Sequence, residues 1–120
     1  MDKIYPITPI GKPRMTQRDK WSKRPCVVEY WRFKDVCKLM KIYIPLHDAH
    51  VTFVLPMPIS WSKQKKKNMD GEPHRSKPDI DNLIKALLDA IFDEDSDVWD
   101  LRATKVWGKE GQIIVKEVPL

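Results

Sequence analysis

The sequence predicts a small α/β (α+β) domain, in which two main helices pack on a mixed β-sheet in the order β-α-β-α-β-β. Two stretches repeat apolar residues at the spacing of a helix, and several short stretches are rich in β-branched residues. Basic or proline-containing segments separate them. The length of 120 residues suits one core, so we expect a single domain over residues 1–120.

In the first half of the chain, residues Lys3–Thr8 are expected to form a short strand. The basic stretch Gly11–Pro25 shows no regular period and is predicted to be a loop. Apolar residues at helical spacing predict a helix over Glu29–Ile42, ended by Pro45. Residues Ala49–Pro56 have the composition of a strand buried on at least one side.

In the second half, the lysine-rich stretch Ser60–Ser76 is predicted to be a mobile loop. Pro78 and Asp79 then provide a helix start and an N-cap. The strong amphipathic helix that follows has its apolar stripe at Ile80, Leu83, Ile84, Leu87, Leu88 and Ile91. The alternating tail, with a turn at Gly108–Gly111 and a last strand at Gln112–Val118, predicts a terminal hairpin.

Composition limits the class of protein and its location. Apolar residues make up 42% and charged residues 32% of the chain, as in a folded, soluble domain. No apolar run approaches the ~18 residues of a membrane span, and the first residues lack a signal-peptide core, so we expect no membrane and a cytoplasmic location. Cys26 and Cys37 have no metal-binding spacing and are expected to be free thiols.

Charge is distributed unevenly along the chain. Residues 79–100 hold eight acids and one lysine, whereas the other 98 residues hold 21 Lys or Arg and nine acids. The basic part favours a polyanion such as nucleic acid as partner. An acidic cluster within a basic chain suits a metal ion that activates water for phosphodiester hydrolysis.

Several acids of this cluster have a spacing that suits a metal site. Asp79 and Asp81 occupy the start of the second helix, and Asp81, Lys85 and Asp89 follow one another at intervals of four along one flank. Mg²⁺ prefers carboxylate and water oxygens. The turn at 93–97 would have to fold back to bring Asp95 or another of its acids to the same ion, because a helix rises 1.5 Å per residue.

Ordinary structural roles also fit these residues. Asp79 suits an N-cap, Asp81 suits the helix dipole, and Lys85 suits a surface ion-pair ladder. The acidic turn fits a solvated loop. Packing like charges together is unfavourable without a cation, however, and this favours metal binding.

Other residues are candidates for contact with phosphate or bases. His47 and His50 are more consistent with surface histidines than with zinc ligands, His74 is open between the two roles, and Trp61 is a candidate for stacking on an unpaired base. The basic residues expected to contact nucleic acid are Lys12, Arg14, Arg18, Lys20, Lys63, Lys65, Lys66, Lys67, Arg75 and Lys77.

The segment KPDIDNLIKALLDAIFDEDSDV resembles the motif of the RusA family of Holliday junction resolvases, which are common in phages and prophages. That motif is D-x-D-N-L-x-K at the start of a helix, an aspartate further along it, and a D-D-[SA]-Q-V-like turn. The match covers about 22 residues and departs from the motif in the turn, where Glu94 and Asp97 replace Asp and Gln. This departure leaves open which of Asp93, Asp95 and Asp97 binds metal, and we favour Asp95.

The resemblance implies a RusA-like fold and a homodimer that binds a four-way DNA junction and cuts it with paired symmetric nicks, in DNA recombination and repair. It also implies that Asp79, Asp81 and Asp95 bind Mg²⁺, with Mn²⁺ able to substitute, and that Lys85 assists catalysis. Asp89 remains open as a ligand, as a partner of Lys85 or as a structural residue. The competing classes are a non-catalytic branched-DNA-binding protein and a metal-dependent nuclease for another DNA structure.

Overall fold

The computed structural model describes residues 2–13, 25–92 and 97–116, which form a mixed four-stranded sheet and three helices. The α+β class is therefore confirmed. The elements are β1 (Asp2–Tyr5), α1 (Pro25–Met40), β2 (Ala49–Pro56), α2 (Lys63–Met69), α3 (Ile80–Ile91), β3 (Leu101–Gly108) and β4 (Gln112–Lys116).

The sheet has the strand order β1-β4-β2-β3. β2 pairs in parallel with β3 and antiparallel with β4, whereas β1 pairs antiparallel with β4. The predicted terminal hairpin is therefore wrong, because β2 lies between β3 and β4. β2 is the most deeply buried strand. Only an interior position in the sheet gives it a partner strand along both of its edges.

The connection between β3 and β4 crosses the end of β2 closely. A Cβ atom at Gly108 would collide with the side chain of Val54 on β2. Glycine is thus required at this position, and the turn of residues 109–111 is held at the same end of the sheet as Pro56.

Helices α1 and α3 pack on each other, and their apolar faces share one core with the sheet. From the strands, the core receives alternate residues of one face, among them Phe53, Val51 and Ile113, each no more than 1% exposed. From the helices it receives Tyr30, Phe33 and Cys37 of α1 and Leu83, Ala86 and Leu87 of α3. Burial raises the pKa of the Cys37 thiol to about 12, and both Cys37 and Cys26 are free, as predicted.

The first helix is displaced from the predicted range. It begins at Pro25, a residue suited to the first helical position, and it ends at Met40. Lys41 then adopts a left-handed conformation with φ of 53°, so the helix stops before Pro45 is reached. The first strand is also shorter than predicted and ends at Tyr5, before Pro6.

The lysine-rich segment contains a helix that the sequence analysis did not predict. Ser62 caps α2 by accepting a hydrogen bond from the amide of Lys65. Lys, Gln and Met all have high helix propensity, and this outweighs the repulsion between the lysines. The prediction of a wholly irregular loop over residues 60–76 is therefore wrong.

After α2, residues 71–74 extend along the free edge of β3. The amides of Gly71 and His74 donate to the carbonyls of Trp107 and Lys105, and the Trp107 amide donates to Glu72. This segment protects the edge of the sheet and leads the chain to the start of α3.

Candidate nuclease site

The start of α3 carries two exposed carboxylates. Asp79 is the N-cap residue, and its carbonyl accepts hydrogen bonds from the amides of Asn82 and Leu83. Its side chain, however, makes no capping hydrogen bond. The carboxylate of a capping aspartate usually accepts a hydrogen bond from a backbone amide. Because the Asp79 carboxylate does not, it is available to a ligand.

Asp81 and Lys85 lie one turn apart on the exposed flank of α3. The Nζ atom of Lys85 is 3.9 Å from an oxygen of Asp81, and the two side chains are 63% and 67% exposed. Solvent screening makes such a pair weak. Neither group is therefore held tightly by the other, and both can engage an added ligand.

Asp89, two turns further along the same flank, has a different environment. Its carboxylate accepts a hydrogen bond of 2.8 Å from the Tyr30 hydroxyl and forms an ion pair of 2.5 Å with the ammonium group of Lys12. Burial alone would raise the pKa of Asp89, but the bonds from Lys12 and Tyr30 outweigh it, so the pKa lies below its ordinary value. Burial and the bond to Asp89 also raise the pKa of Tyr30.

These contacts bear on the alternatives left open for Asp89. Its carboxylate links α3 to Tyr30 of α1 and to Lys12 in the segment that follows β1. The Lys12 amide also donates to the Asn82 carbonyl of α3. In this structure Asp89 contacts Tyr30 and Lys12, an arrangement that favours a structural role over a partnership with Lys85. The ammonium group of Lys12, predicted to contact nucleic acid, lies against Asp89.

Lys105 on β3 holds the segment that enters α3, a contact that sequence reasoning missed. Its Nζ atom donates to the carbonyl of Pro78 at 2.7 Å and to that of Ser76. The residue before Asp79 is thus tied to the sheet. The sequence carried a signal for this contact. Lys105 has the same parity as Ala103 and Trp107, so it lies on the face of β3 that is directed towards the core.

The third residue of the predicted metal set, Asp95, lies beyond the described residues, and Asp93 and Asp97 were the alternatives for its place. Asp93 and Asp95 are outside the described ranges, and Asp97 is exposed. Within those ranges, no three His, Cys, Asp or Glu side chains form a group able to hold a metal ion. Two carboxylates still suit Mg²⁺, which keeps several waters and commonly takes one or two protein carboxylates. Asp79 and Asp81 are the residues that could hold it.

The histidines occupy structural positions. The imidazole of His50 is 3.1 Å from the hydroxyl of Thr104, and His47 stacks on Trp99. His74 is 5% exposed and packs on Trp107, with ring centroids 4.0 Å apart. Burial, and then the charge of Lys105, lower the pKa of His74. Its packing on Trp107 leaves little of the ring accessible to a phosphate.

The basic residues divide into several groups. Arg75 and Lys77 are exposed just before Asp79, and the lysines of α2 lie near the other end of β3. Trp61 is half-buried against Trp107 and Lys65, which limits its surface for stacking on a base. Arg14, Arg18 and Lys20 lie outside the described residues.

The family model of the endodeoxyribonuclease RusA matches residues 6–117, nearly the whole chain. The chain belongs to the RusA family. This membership confirms the resemblance seen in the segment from Lys77 to Val98.

A relative of uncharacterized function gives a second comparison. The chain is 37% identical to the uncharacterized protein YqaN of Bacillus subtilis (strain 168), in a match that covers 52% of this chain and 51% of the relative. The matched part therefore spans about half the length of that curated relative. Across the described ranges, no helix is both long and apolar enough to cross a membrane.

Proposed function

We propose that this RusA family member is a metal-dependent endodeoxyribonuclease that resolves four-way DNA junctions. The observation that carries the proposal is the start of α3, where Asp79 and Asp81 expose carboxylates that the fold itself does not use. Membership in a family of endodeoxyribonucleases supports the reaction class.

In the proposed mechanism, Asp79, Asp81 and Asp95 would hold Mg²⁺, or Mn²⁺ in its place. The chemistry that such an ion supplies is the activation of water and the neutralisation of charge on the phosphate. Lys85, one turn from Asp81, donates from its ammonium group to a phosphate oxygen as negative charge develops in the transition state.

The neighbouring residues contribute orientation and binding. Lys105 fixes the backbone before Asp79, so the carboxylate starts from a defined position. Arg75 and Lys77, both exposed next to Asp79, bind DNA phosphates near the one that is cut.

A symmetric homodimer would account for paired cleavage. A two-fold assembly places two identical sites on a substrate that has matching symmetry. Each site then nicks one of two equivalent strands, and the shape of the junction, more than base edges, provides most of the selectivity.

The test is cleavage of a synthetic four-way junction with Mg²⁺, compared with a linear duplex built from the same arms. We expect symmetric nicks in the junction alone, ends that DNA ligase can join, and complete loss of nicking when EDTA removes the metal. Binding without any nicking would contradict the nuclease proposal and support a non-catalytic DNA-binding protein. Equal cutting of the linear duplex would contradict junction selectivity and support a nuclease for another DNA structure.

A further inference from the structure

The lysines of α2 do not share one face. Lys63, Lys66 and Lys67 have the i, i+3, i+4 relation of neighbours on a helix surface. Lys65 points elsewhere, with its Nζ atom 4.3 Å from the centre of the Trp61 ring. The fold therefore separates one lysine, engaged in a cation–π contact, from three that remain together.

These three lysines line an open cleft of about 570 Å³ with residues from other segments. Met57 follows β2, Asp70 follows α2, and Lys109 lies in the turn between β3 and β4. Lys109 is about forty residues from α2 in the sequence, and only the crossing of that turn over β2 brings it to the cleft.

Both walls of the cleft are attached to the same end of the sheet. On one side, the Gly71 amide donates to the Trp107 carbonyl at 2.8 Å, and Trp61 packs on Trp107 with centroids 4.8 Å apart. On the other side, the Met57 amide donates to the Gly108 carbonyl, next to Lys109. The cleft is therefore preformed, and a ligand would not have to order it.

The charge of the cleft defines its ligand. Four lysines and one acidic residue, Asp70, line the cleft, and in the described part of the chain none of these lysines forms an ion pair within 4 Å of an acidic group. An excess of positive charge around one cleft favours an anion with several negative groups. The indole of Trp61 contacts Trp107 and Lys65, and these contacts limit the aromatic surface that it offers to a base.

We propose that this cleft, formed by Lys63, Lys66, Lys67 and Lys109, binds the sugar–phosphate backbone of a DNA arm without reading its sequence. The proposal rests on the DNA-binding function proposed above and extends it to a surface apart from the carboxylates. The segment of residues 71–78 connects the cleft to Asp79 along the edge of β3, so a DNA arm bound in the cleft would extend away from the site of cleavage.

The experiment measures binding of fluorescent four-way junction and linear duplex at several salt concentrations, with full-length variants checked for thermal stability. Lys66→Gln and Lys109→Gln should each weaken binding of both DNAs about 3- to 10-fold and lower the slope of log K against log[salt] by about 0.9. Asp70→Asn should tighten binding. Lys65→Gln should change the dissociation constant no more than about twofold.

Lys41→Gln, an exposed lysine in the connection after α1, is the matched control for the loss of one charge. If Lys109→Gln behaves like Lys41→Gln while the wild-type protein binds DNA, the cleft proposal is overturned and the proposed function stands. If the wild-type protein binds DNA but never nicks it, the nuclease proposal fails and the cleft is still tested by the same variants. Tighter binding of polyaspartate than of DNA would also overturn the cleft proposal, since it would indicate an acidic protein partner.

Discussion

The two ends of α3 carry aspartates on the same flank of one helix, yet their environments differ. At the start, Asp79 and Asp81 are exposed, and among the residues that the structure describes their one ion pair is the 3.9 Å contact of Asp81 with Lys85. Near the end, Asp89 has short bonds to Tyr30 and Lys12. The spacing of four residues makes Asp81 and Asp89 appear equivalent in the sequence, but their partners separate a carboxylate available to a cation from one already neutralised by the fold.

The largest expected effect is at the start of the helix. Asp81→Asn should lower the rate of junction cleavage by roughly 10²–10³-fold, because it removes charge that stabilises the reacting phosphate through the metal. Binding of the junction should persist or tighten, since the variant repels phosphate less. Cleavage is measured in single-turnover assays and binding by gel shift.

Asp79→Asn provides the matched variant for the same end. Asparagine is as good an N-cap as aspartate, so the helix start is kept while the charge is lost. Loss of DNA binding in either variant would show that these residues are structural, contrary to our proposal.

The Lys105 contact concerns what holds the start of α3 in place. Lys105→Met should raise the metal concentration for half-maximal cleavage about 10-fold and speed hydrogen exchange at the amides of Asn82 and Leu83. Removing a positive charge near a cation site would by itself strengthen metal binding and lower the metal concentration for half-maximal cleavage. An increase in that concentration would therefore indicate loss of positioning and not an electrostatic effect.

Arg102→Met on the same strand is the control for Lys105, because Arg102 lies on the opposite face of the sheet and is exposed. Hydrogen exchange requires neither metal nor DNA, so it tests the contact even if cleavage is absent. Unchanged exchange in Lys105→Met, with exchange in Arg102→Met also unchanged, would contradict a positioning role.

At the other end of the helix, Asp89→Asn should reduce the free energy of unfolding by about 1–3 kcal/mol while the folded variant keeps most of its cleavage rate. The reason is that it removes one partner of a half-buried ion pair and leaves Lys12 without its counter-charge. Urea unfolding gives the stability, and Asp35→Asn on the exposed side of α1 corrects for the loss of a carboxylate. A loss of cleavage as great as that of Asp81→Asn, without unfolding, would mean that the two ends act alike.

The smallest effect is a pH dependence that belongs to Asp89. Its pKa is lower in the folded protein than in the unfolded chain, so its contribution to stability is present above the unfolded value of about 3.9 and is lost as pH falls through the folded pKa. The stability difference between wild type and Asp89→Asn should therefore be constant above about pH 5 and shrink below about pH 4. A constant difference down to pH 3 would show that the charge of Asp89 does not contribute.

Local patterns in the sequence predicted much of the fold. The strand at Ala49–Pro56 and the helix capped by Asp79 were predicted at their observed bounds, because β-branched composition and amphipathic spacing are local properties of the chain. The family motif indicated Asp79, Asp81 and Lys85. Helix α2 was missed because a lysine run is typical of solvated loops, and its capping by Ser62 was overlooked.

Contacts between distant residues could not be read in this way. The sequence by itself determined the α+β class, the amphipathic α3 with acids at its start, and the basic character of the rest of the chain. Only the tertiary structure decided that β2 separates β3 from β4, that Tyr30 and Lys12 bind the carboxylate of Asp89, and that Lys109 joins the lysines of α2. The physical reason is that hydrophobic periodicity and local charge are set by residues within one or two helical turns of each other. Strand order and ion-pair partners instead depend on which distant segments come together to bury the apolar residues of β2 and α3. The same acidic residue type can therefore serve as a candidate metal ligand at one end of a helix and as a structural residue at the other.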